Sequence, residues 1–273
     1  MKYELIIFDI DNTLFDSIEW SEYKSKTTPD HKLIHGGIKY KMYARPFLKQ
    51  FMKFCQKNFK NIGIWTHADS MWLDKFVKNV LELDIPFLFK YDITHASYLK
   101  DGSKIKPLSK VWAEFPKFNK HNTLIIEDTI GNCVENLENC IIVPEFLIKK
   151  HELENVDITL PLLSSYITKL QKGLVKKHDP IKWYKTEYDT FIKKQSEKLA
   201  KETSGSKDTS RTSKQRSKGT SRTSKESERR SKQGERRSKG TSRRSKSTSK
   251  SDAKNVKSVK DTIKRHITKK KKE

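Results

Sequence analysis

The chain has 273 residues, a formal net charge of +24 and three cysteines. An odd cysteine count without a Cys-x-x-Cys pair argues against both a disulfide framework and a cysteine-based zinc site. No apolar run is long enough for a secretory signal or a bilayer span, so we expect a soluble, intracellular protein without membrane contact.

The positive charge is concentrated at the C-terminal end of the chain. Residues 201–273 contain 27 Lys and Arg against 8 Asp and Glu, and Phe191 is the last aromatic residue. A segment so poor in aromatic and aliphatic side chains cannot bury enough surface to offset the entropy of ordering. We therefore predict a folded domain over residues 1–175, a C-terminal helix over 176–201 and a disordered basic tail over 202–273.

The basic tail is repetitive. Ser-Lys recurs every seven residues from position 217 to position 246, but no apolar positions accompany the repeat, so it is a low-complexity segment rather than a coiled coil. Three roles are open for it: sequence-independent and salt-dependent contact with nucleic acid, nuclear import, or solubility alone.

The first 200 residues alternate between short apolar runs and helical patterns. In chain order, we predict a strand over residues 3–8, a helix over 46–58 with proline in its first turn, a strand over 61–65, a helix over 70–83, a short helix over 107–115, and strands over 123–126 and 140–143. Asp179-Pro180 resembles the cap and first turn of a last helix that ends near Lys201. This alternation indicates an α/β protein with a mostly parallel sheet covered on both faces.

Three of the predicted strands are followed by polar side chains of the kinds that act in catalysis. Asp9 and Asp11 follow the first strand. Thr66 follows the second, and Glu127 and Asp128 follow the third. Because parallel strands share one carboxyl edge, these groups can converge although they are distant in sequence. Two neighbouring acids repel each other unless a cation lies between them, and Mg²⁺ is the usual one, so we predict a phosphate-handling site.

Each of these residues also has an ordinary structural interpretation. Asp9 and Asp11 could open a Ca²⁺-binding loop, although the glycine and the entering helix of an EF-hand are missing. Thr66 could be a hydrogen-bonded hydroxyl at a strand end. Glu127 and Asp128 could cap the helix that follows them.

The order of these motifs resembles the haloacid dehalogenase superfamily. The stretches at 43–48, 105–112 and 122–128 read YARPFL, IKPLSKVW and NTLIIED, and they are similar to the NLI-interacting-factor-like phosphatases. These are aspartate-based phosphatases of the RNA polymerase II C-terminal domain, and the branch with a ubiquitin-like domain is the most similar. The resemblance covers residues 3–150 and implies a Rossmann-like, three-layer sandwich with a central parallel sheet. Because the chain begins at the first strand of this domain, we expect no ubiquitin-like domain.

The resemblance implies a role for each main residue of the site. Asp9 would attack phosphorus and become a transient aspartyl-phosphate. Asp11 would protonate the leaving oxygen and later activate water, while its backbone carbonyl helps to bind Mg²⁺. Thr66 and Lys106 would contact the phosphoryl oxygens. Asp9, Asp11 and Asp128 would together hold the metal.

Further residues are expected beside the phosphate or behind the metal ligands: Asn12, Thr13, Glu127 and Asn132. Asn132 would orient Asp128 or the phosphate. Glu127 stands where the family has aspartate, so a direct and a supporting role are both open for it. The site lysine is either Lys100 or Lys106, and we prefer Lys106 because Pro-Leu follows it in the matching register.

The main hypothesis is a Mg²⁺-dependent phosphatase of phosphoserine or phosphothreonine in a protein, and the implied substrate is the RNA polymerase II C-terminal domain. A nucleic-acid 3′-phosphatase is a second hypothesis, in which residues 202–273 would hold the nucleic acid. A catalytically silent binding module, similar to a mitochondrial translocase receptor, is a third, but intact Asp9, Asp11 and Thr13 count against it. We expect a nuclear or cytoplasmic location. The Lys-, Ile- and Asn-rich composition suggests the AT-rich genome of a large DNA virus.

Overall fold

A computed structural model describes residues 2–81, 83–154 and 157–212. The strands in this part of the chain are β1 (Leu5–Phe8), β2 (Phe15–Glu19), β3 (His31–His35), β4 (Ile38–Ala44), β5 (Asn61–Trp65), β6 (Phe87–Tyr91), β7 (Ser97–Tyr98), β8 (Lys104–Ile105), β9 (Thr123–Glu127) and β10 (Cys140–Ile142). The α-helices are α1 (Leu48–Asn58), α2 (Ser70–Phe76), α3 (Leu108–Glu114), α4 (Ile148–Glu154), α5 (Thr159–Gln171) and α6 (Trp183–Thr212).

Five strands form a parallel sheet in the order β10-β9-β1-β5-β6. Every residue of β1 and β9 is buried, which is typical of central strands in a sheet covered on both faces. Ile7 of β1 lies in an apolar cluster with Leu108 and Val111 of α3. The neighbouring Phe8 instead meets Phe51 of α1 edge to face, with ring centroids 5.7 Å apart. Successive strand residues point to opposite faces, so helices cover both sides and the predicted α/β sandwich is confirmed.

A second sheet is inserted between β1 and α1, and we call residues 15–44 the insert. Its antiparallel strands lie in the order β2-β4-β3, and β3 turns into β4 through Gly36 and Gly37. Both glycines have positive φ, 56° and 80°, as a tight two-residue hairpin requires. No predicted element corresponds to the insert, because its strands are short and their burial alternates only loosely.

The four strands predicted from apolar runs are all present in the central sheet. β5 has the predicted bounds, and β9 extends one residue further, so Glu127 belongs to the strand. The edge strand β6 is not among the predicted elements, since a short apolar run is compatible with a strand, a helix or a loop. Neither is α5, which packs against α1 and interrupts its apolar pattern with proline and two serines.

The helices α1 and α2 differ from their predicted bounds. α1 begins at Leu48 rather than Pro46, because Phe47 has a left-handed backbone with a φ of 69°. The helix predicted over residues 70–83 is α-helical only in its first two turns and continues as a π-helical turn over Val77–Leu81.

The last helix begins later than the sequence predicts. Asp179 Oδ1 accepts two backbone N–H groups of the turn that follows it, so Asp179 caps this turn and α6 starts at Trp183. The indole of Trp183 is buried and donates to the carbonyl oxygen of Ile142 at 2.6 Å. This contact joins the start of α6 to β10, and the compact α/β unit extends to Phe191.

The far end of α6 also departs from the prediction. The helix reaches Thr212, so the first part of the segment predicted as a disordered tail is helical. Lysine, glutamate and alanine around residue 200 are good helix formers, but residues 203–212 are mostly Ser, Thr, Gly and Asp, so helix propensity does not explain the last turns. The predicted disorder of residues 213–273 lies outside the described residues and stays a prediction, as does the domain boundary at residue 175. In the described ranges, no helix is both long and apolar enough to cross a bilayer.

Candidate active site

The carboxyl ends of three adjacent strands bring the predicted site residues together. β9, β1 and β5 are neighbours in the parallel sheet. Asp9 follows β1, and Thr66 follows β5. Glu127 ends β9, and Asp128 comes directly after it. The backbone N–H of Asp9 donates to Ile126 O at 3.0 Å, so the pairing of the sheet continues up to the first carboxylate.

Lys106 lies between two of these acids. Its Nζ is 2.5 Å from Asp9 Oδ1 and 2.6 Å from Glu127 Oε1, and the side chain is fully buried. Burial lowers the pKa of Lys106, but the two carboxylates outweigh burial and raise it above the usual value. Lys106 is therefore cationic at neutral pH. Lys100, the other candidate from the sequence, is exposed in the turn between β7 and β8.

Glu127 is held by three hydrogen-bond donors. Its Oε1 accepts from Lys106 and from Asn132 Nδ2 at 2.7 Å, and its Oε2 accepts from the backbone N–H of Thr129 at 2.8 Å. Burial raises the pKa of Glu127, but these donors, led by Lys106, bring it below the usual value. Asn132 thus donates to Glu127 and also lines the pocket, and its expected role in orienting Asp128 or the phosphate stays a prediction.

The carboxylate of Asp11 is held by two different donors. Its Oδ2 accepts from Thr66 Oγ1 at 3.0 Å, and its Oδ1 accepts from Trp72 Nε1 at 2.9 Å. Burial raises the pKa of Asp11, and these two hydrogen bonds offset part of that shift. Asp9 and Asp11 therefore occupy different environments, although a single residue separates them.

Asp9, Glu127 and Asp128 each place a carboxylate oxygen within 4.8 Å of the other two. Burial and the charge of Glu127 raise the pKa of Asp128 to about 7, and burial raises the pKa of Asp9 despite the attraction of Lys106. One lysine cannot neutralise three carboxylates, so all three stay ionised only with further positive charge. Carboxylate oxygens are preferred ligands of Mg²⁺, so these residues fit the predicted metal. The Asp11 carboxylate is outside this cluster.

The loop after β1 is fixed by its backbone and by Arg45. Asn12 has a left-handed backbone with a φ of 59°, which asparagine tolerates better than most residues. The buried guanidinium of Arg45 donates to Thr13 O at 2.9 Å and pairs with Asp157 at 2.9 Å. Thr13 is also buried, and its Oγ1 lies 3.4 Å from Asp128 Oδ1. The Arg-Pro motif, used above only for the family resemblance, thus supports the loop that carries Asp9.

An open pocket of about 600 Å³ lies over the carboxylates. Site residues after β1 and β9 form one side of it. The remaining wall includes Ser17, His35 and Tyr40 of the insert and Asp69 and Trp72 at the start of α2. These wall residues could not be identified from the sequence, because no motif marks them and periodicity does not place their elements beside β1.

Comparison with known proteins relates this site to a family. A model described as NLI interacting factor-like phosphatase matches residues 4–177. Ubiquitin-like domain-containing CTD phosphatase 1 of Xenopus tropicalis is 25% identical over 181 residues, which cover 61% of this chain and 49% of the frog protein. Protein 355R of Invertebrate iridescent virus 6, named as CTD phosphatase-like, is 25% identical over 164 residues, which cover 55% of this chain and 89% of the viral protein.

The chain spans about half the length of the frog relative. Among solved structures, that of Fcp1, an essential RNA polymerase II CTD phosphatase, aligns with a TM-score of 0.45 and 14% identity over 63% of each chain. The family match covers more than half of this chain and includes every predicted site residue. The chain therefore belongs to the NLI interacting factor-like phosphatase family, as its motifs predict.

Proposed function

We propose that the protein is a Mg²⁺-dependent, aspartate-based phosphatase of phosphoserine or phosphothreonine in proteins. The observation that carries this proposal is the separation of two acids: Asp9 pairs with Lys106, whereas Asp11 is held by neutral donors. A nucleophile and an acid–base residue need environments that differ in this way. Membership of a phosphatase family supports the same chemistry.

In the first proposed step, a carboxylate oxygen of Asp9 attacks phosphorus, and the bond from phosphorus to the substrate oxygen breaks. Asp11, whose pKa is raised by burial, gives a proton to the departing oxygen. The Thr66 hydroxyl donates to a phosphoryl oxygen, and the Lys106 ammonium offsets negative charge there. This step yields the free serine or threonine hydroxyl and an aspartyl-phosphate on Asp9.

In the second step, water attacks the phosphorus of the aspartyl-phosphate. Asp11 accepts a proton from that water, so it returns to its starting state. Asp9 departs as a carboxylate, and inorganic phosphate is released. The pocket is open to solvent, so water can reach Asp11 between the two steps.

The proposed Mg²⁺ ligands are the carboxylates of Asp9 and Asp128 and the backbone carbonyl of Asp11. Bound Mg²⁺ supplies positive charge that offsets the charge of the acids and the phosphoryl group. The raised pKa values of Asp9 and Asp128 support this assignment, because both carboxylates need a compensating charge to stay ionised. Glu127 forms an ion pair with Lys106, so we propose a supporting role for it beside the metal ligands rather than direct metal binding.

The proposed substrate is a phosphoprotein and, by likeness to the named CTD phosphatases, the C-terminal domain of RNA polymerase II. Among the described residues, the pocket is lined by Asp9, Asp11, Asp69 and Asp128 and by no lysine or arginine. Such walls disfavour a substrate with several neighbouring phosphates, as a nucleic acid has. A polymerase substrate would require the protein to be in the nucleus or wherever the polymerase works.

A nucleic-acid 3′-phosphatase is the second candidate. Residues 201–273 carry a net charge of +19, and a basic segment of this kind binds polyanions without sequence preference. The acidic pocket counts against this candidate. A silent binding module is less well supported, because Asp9, Asp11 and Lys106 are all present and hydrogen-bonded within one site.

Phosphate release by the full-length protein tests these candidates. The substrates are p-nitrophenyl phosphate, a phosphoserine heptad peptide and a 3′-phosphorylated oligonucleotide, each with and without Mg²⁺. We expect Asp9→Asn to lower kcat by at least about a thousandfold. The exposed Asp189→Asn variant is the control and should keep the wild-type rate. Absence of Mg²⁺-dependent turnover on all three substrates would exclude the enzyme, and a preference for the oligonucleotide would favour the second candidate.

A further inference from the structure

The indole of Trp72 donates a hydrogen bond into the active site. Trp72 is the third residue of α2, and its Nε1 lies 2.9 Å from Asp11 Oδ1. The residue is only 7% exposed, so this hydrogen bond is largely shielded from water. The other oxygen of Asp11, Oδ2, lies 3.0 Å from Thr66 Oγ1. Both carboxylate oxygens of the proposed acid–base residue are therefore engaged.

The two donors differ in what they can do during turnover. In the proposed reaction the Thr66 hydroxyl donates its hydrogen bond to a phosphoryl oxygen, so its hydrogen bond to Asp11 is lost. An indole N–H can only donate, so Trp72 keeps Oδ1 of Asp11 as an acceptor throughout. We place the proton that Asp11 transfers on Oδ2, the oxygen that Thr66 releases, because Oδ1 already accepts from the indole.

The position of Trp72 is fixed by the insert and by the cap of α2. Asp69 Oδ1 accepts the backbone N–H of Trp72 at 2.9 Å, and Asp69 Oδ2 is 2.8 Å from His35 Nε2. The indole meets the rings of His35 and Tyr40 edge to face, with centroids 5.3 and 5.1 Å away. Because His35 and Tyr40 both belong to the insert, the insert holds the ring whose N–H reaches Asp11.

We propose that Trp72 is a positioning residue for proton transfer. It holds Asp11 so that Oδ2 faces the leaving oxygen of the substrate, and the insert holds Trp72 in place. This inference rests on the proposed phosphatase function and adds to it a physical link between the insert and the acid–base residue. A tryptophan that served only to pack against Phe15 would leave proton transfer unchanged when its N–H is removed.

Substrates with different leaving groups test the proposal. p-Nitrophenolate departs without a proton, whereas a serine alkoxide needs one, so a misplaced acid slows a phosphoserine peptide more than p-nitrophenyl phosphate. Trp72→Phe keeps an aromatic ring and removes the N–H. We expect its loss in kcat/KM to be at least about ten times larger for the peptide than for the aryl phosphate. We compare kcat/KM rather than kcat because kcat/KM reports the first phosphoryl transfer, the step in which the leaving group departs.

Trp183→Phe is the matched control. It also removes an indole hydrogen bond, the 2.6 Å bond to Ile142 O, but at β10 rather than in the pocket. We expect it to change the rates with both substrates by the same factor. Equal losses on the two substrates for Trp72→Phe would overturn the role of Trp72 and leave the phosphatase function standing. A wild-type chain without Mg²⁺-dependent turnover would overturn the proposed function and this role together.

A nuclear magnetic resonance measurement covers the case in which Trp72→Phe does not fold. The indole N–H resonance of Trp72 should shift in the Asp11→Asn variant, because its acceptor has changed, whereas the resonance of Trp183 should stay in place. An unchanged Trp72 resonance would show that the indole does not bond to Asp11 in solution, and the proposal would then be wrong.

Discussion

At the scale of residues, the site combines several buried charges that depend on one another. Lys106 and Glu127 are both fully buried, and each has at least two polar partners. Burying an ion is costly, and the cost is offset only while its partners are present. Removing one member therefore leaves the others without compensation. Substitutions within this group should change stability as well as activity.

Glu127→Gln should destabilise the protein while leaving Asp9 in place. A glutamine offers one acceptor oxygen to three donors, so its NH₂ group must face Lys106, Asn132 or the N–H of Thr129. We expect the free energy of unfolding to fall by about 2–4 kcal/mol in urea titrations. The exposed Glu135→Gln variant is the control. Equal stability of the two variants would show that Glu127 is not held in this way.

Loss of the Asp128 proton should make the metal-free protein less stable as the pH rises. Burial and Glu127 raise the pKa of Asp128 to about 7 in the folded state, whereas an unfolded aspartate titrates near about 3.9. The stability that the proton confers is fully present below the unfolded pKa and is lost as the pH rises through the folded pKa. This contribution to the free energy of unfolding should therefore decline between about pH 4 and pH 7.

The Asp128→Asn variant isolates this contribution, because it cannot titrate. With chelator present, the wild type should lose stability relative to this variant between about pH 4 and pH 7 in urea titrations. Asp9 and Asp11, whose pKa values burial also raises, are common to both proteins and cancel in the comparison to a first approximation. A constant difference across this pH range would mean that Asp128 is already ionised in the metal-free protein.

At the scale of elements, the parallel sheet positions the charged residues, and its close internal packing holds them there. β5 and β6 approach closely at Gly63, where an added Cβ would lie 2.4 Å from the ring of Phe89. Phe89 belongs to the core cluster that also contains Trp65 and Tyr91. The strand that precedes Thr66 thus has no room for a larger side chain at this point.

Gly63→Ala should lower the free energy of unfolding by about 1–3 kcal/mol, because the ring of Phe89 must move within a packed core. Adding Phe89→Leu to this variant should recover part of the loss. In Gly131→Ala, the control, the new Cβ would meet its nearest neighbour at 3.9 Å, so its stability should hardly change. Urea titrations compare these variants with the wild type, and a Gly63→Ala variant as stable as the control would mean that the ring of Phe89 can move aside at little cost.

The strands that carry the site could be predicted from sequence, because an apolar run that ends in acids leaves few alternatives. The run at residues 61–65 gives the bounds of β5 without error. The insert could not be predicted in the same way, since the strand preference of its short segments depends on their neighbours across the sheet. The start of α1 could not be predicted from the apolar pattern either. The residues from Pro46 onward favour a helix, but the left-handed backbone of Phe47 delays its start to Leu48.

The residue types of the site could be predicted, but their pairing could not. The motifs name Lys106 and Glu127, yet the three donors around Glu127 become apparent only when β9 and the following turn are in place. From helical periodicity, Trp72 is predicted to be a core residue of an amphipathic helix. Its polar edge meets Asp11 because α2 starts beside the end of β1, and helical periodicity does not specify that placement.

At the scale of the whole molecule, charge is divided unequally along the chain. Residues 1–200 carry a net charge of +5, whereas residues 201–273 carry +19. The pocket residues all precede residue 133. The sequence therefore separates a basic segment, suited to polyanions, from a pocket lined by carboxylates.

Deleting residues 213–273 should separate these two properties. We expect kcat/KM for p-nitrophenyl phosphate to stay within about twofold of the full chain, because the pocket is untouched. Retention on immobilised heparin should weaken and lose its steep dependence on salt. A truncated protein that loses aryl phosphatase activity would instead show that the basic segment contributes to the site.

The most direct test of the proposed chemistry is to identify the residue that carries the phosphoryl group. The full-length protein is mixed with a phosphoserine peptide and Mg²⁺, quenched in acid and reduced with borohydride, which converts an aspartyl-phosphate to homoserine that mass spectrometry detects. We expect conversion at Asp9, dependent on Mg²⁺ and absent from Asp9→Asn. Turnover without modification of Asp9, or modification of Asp11 or Asp128 in its place, would contradict Asp9 as the nucleophile.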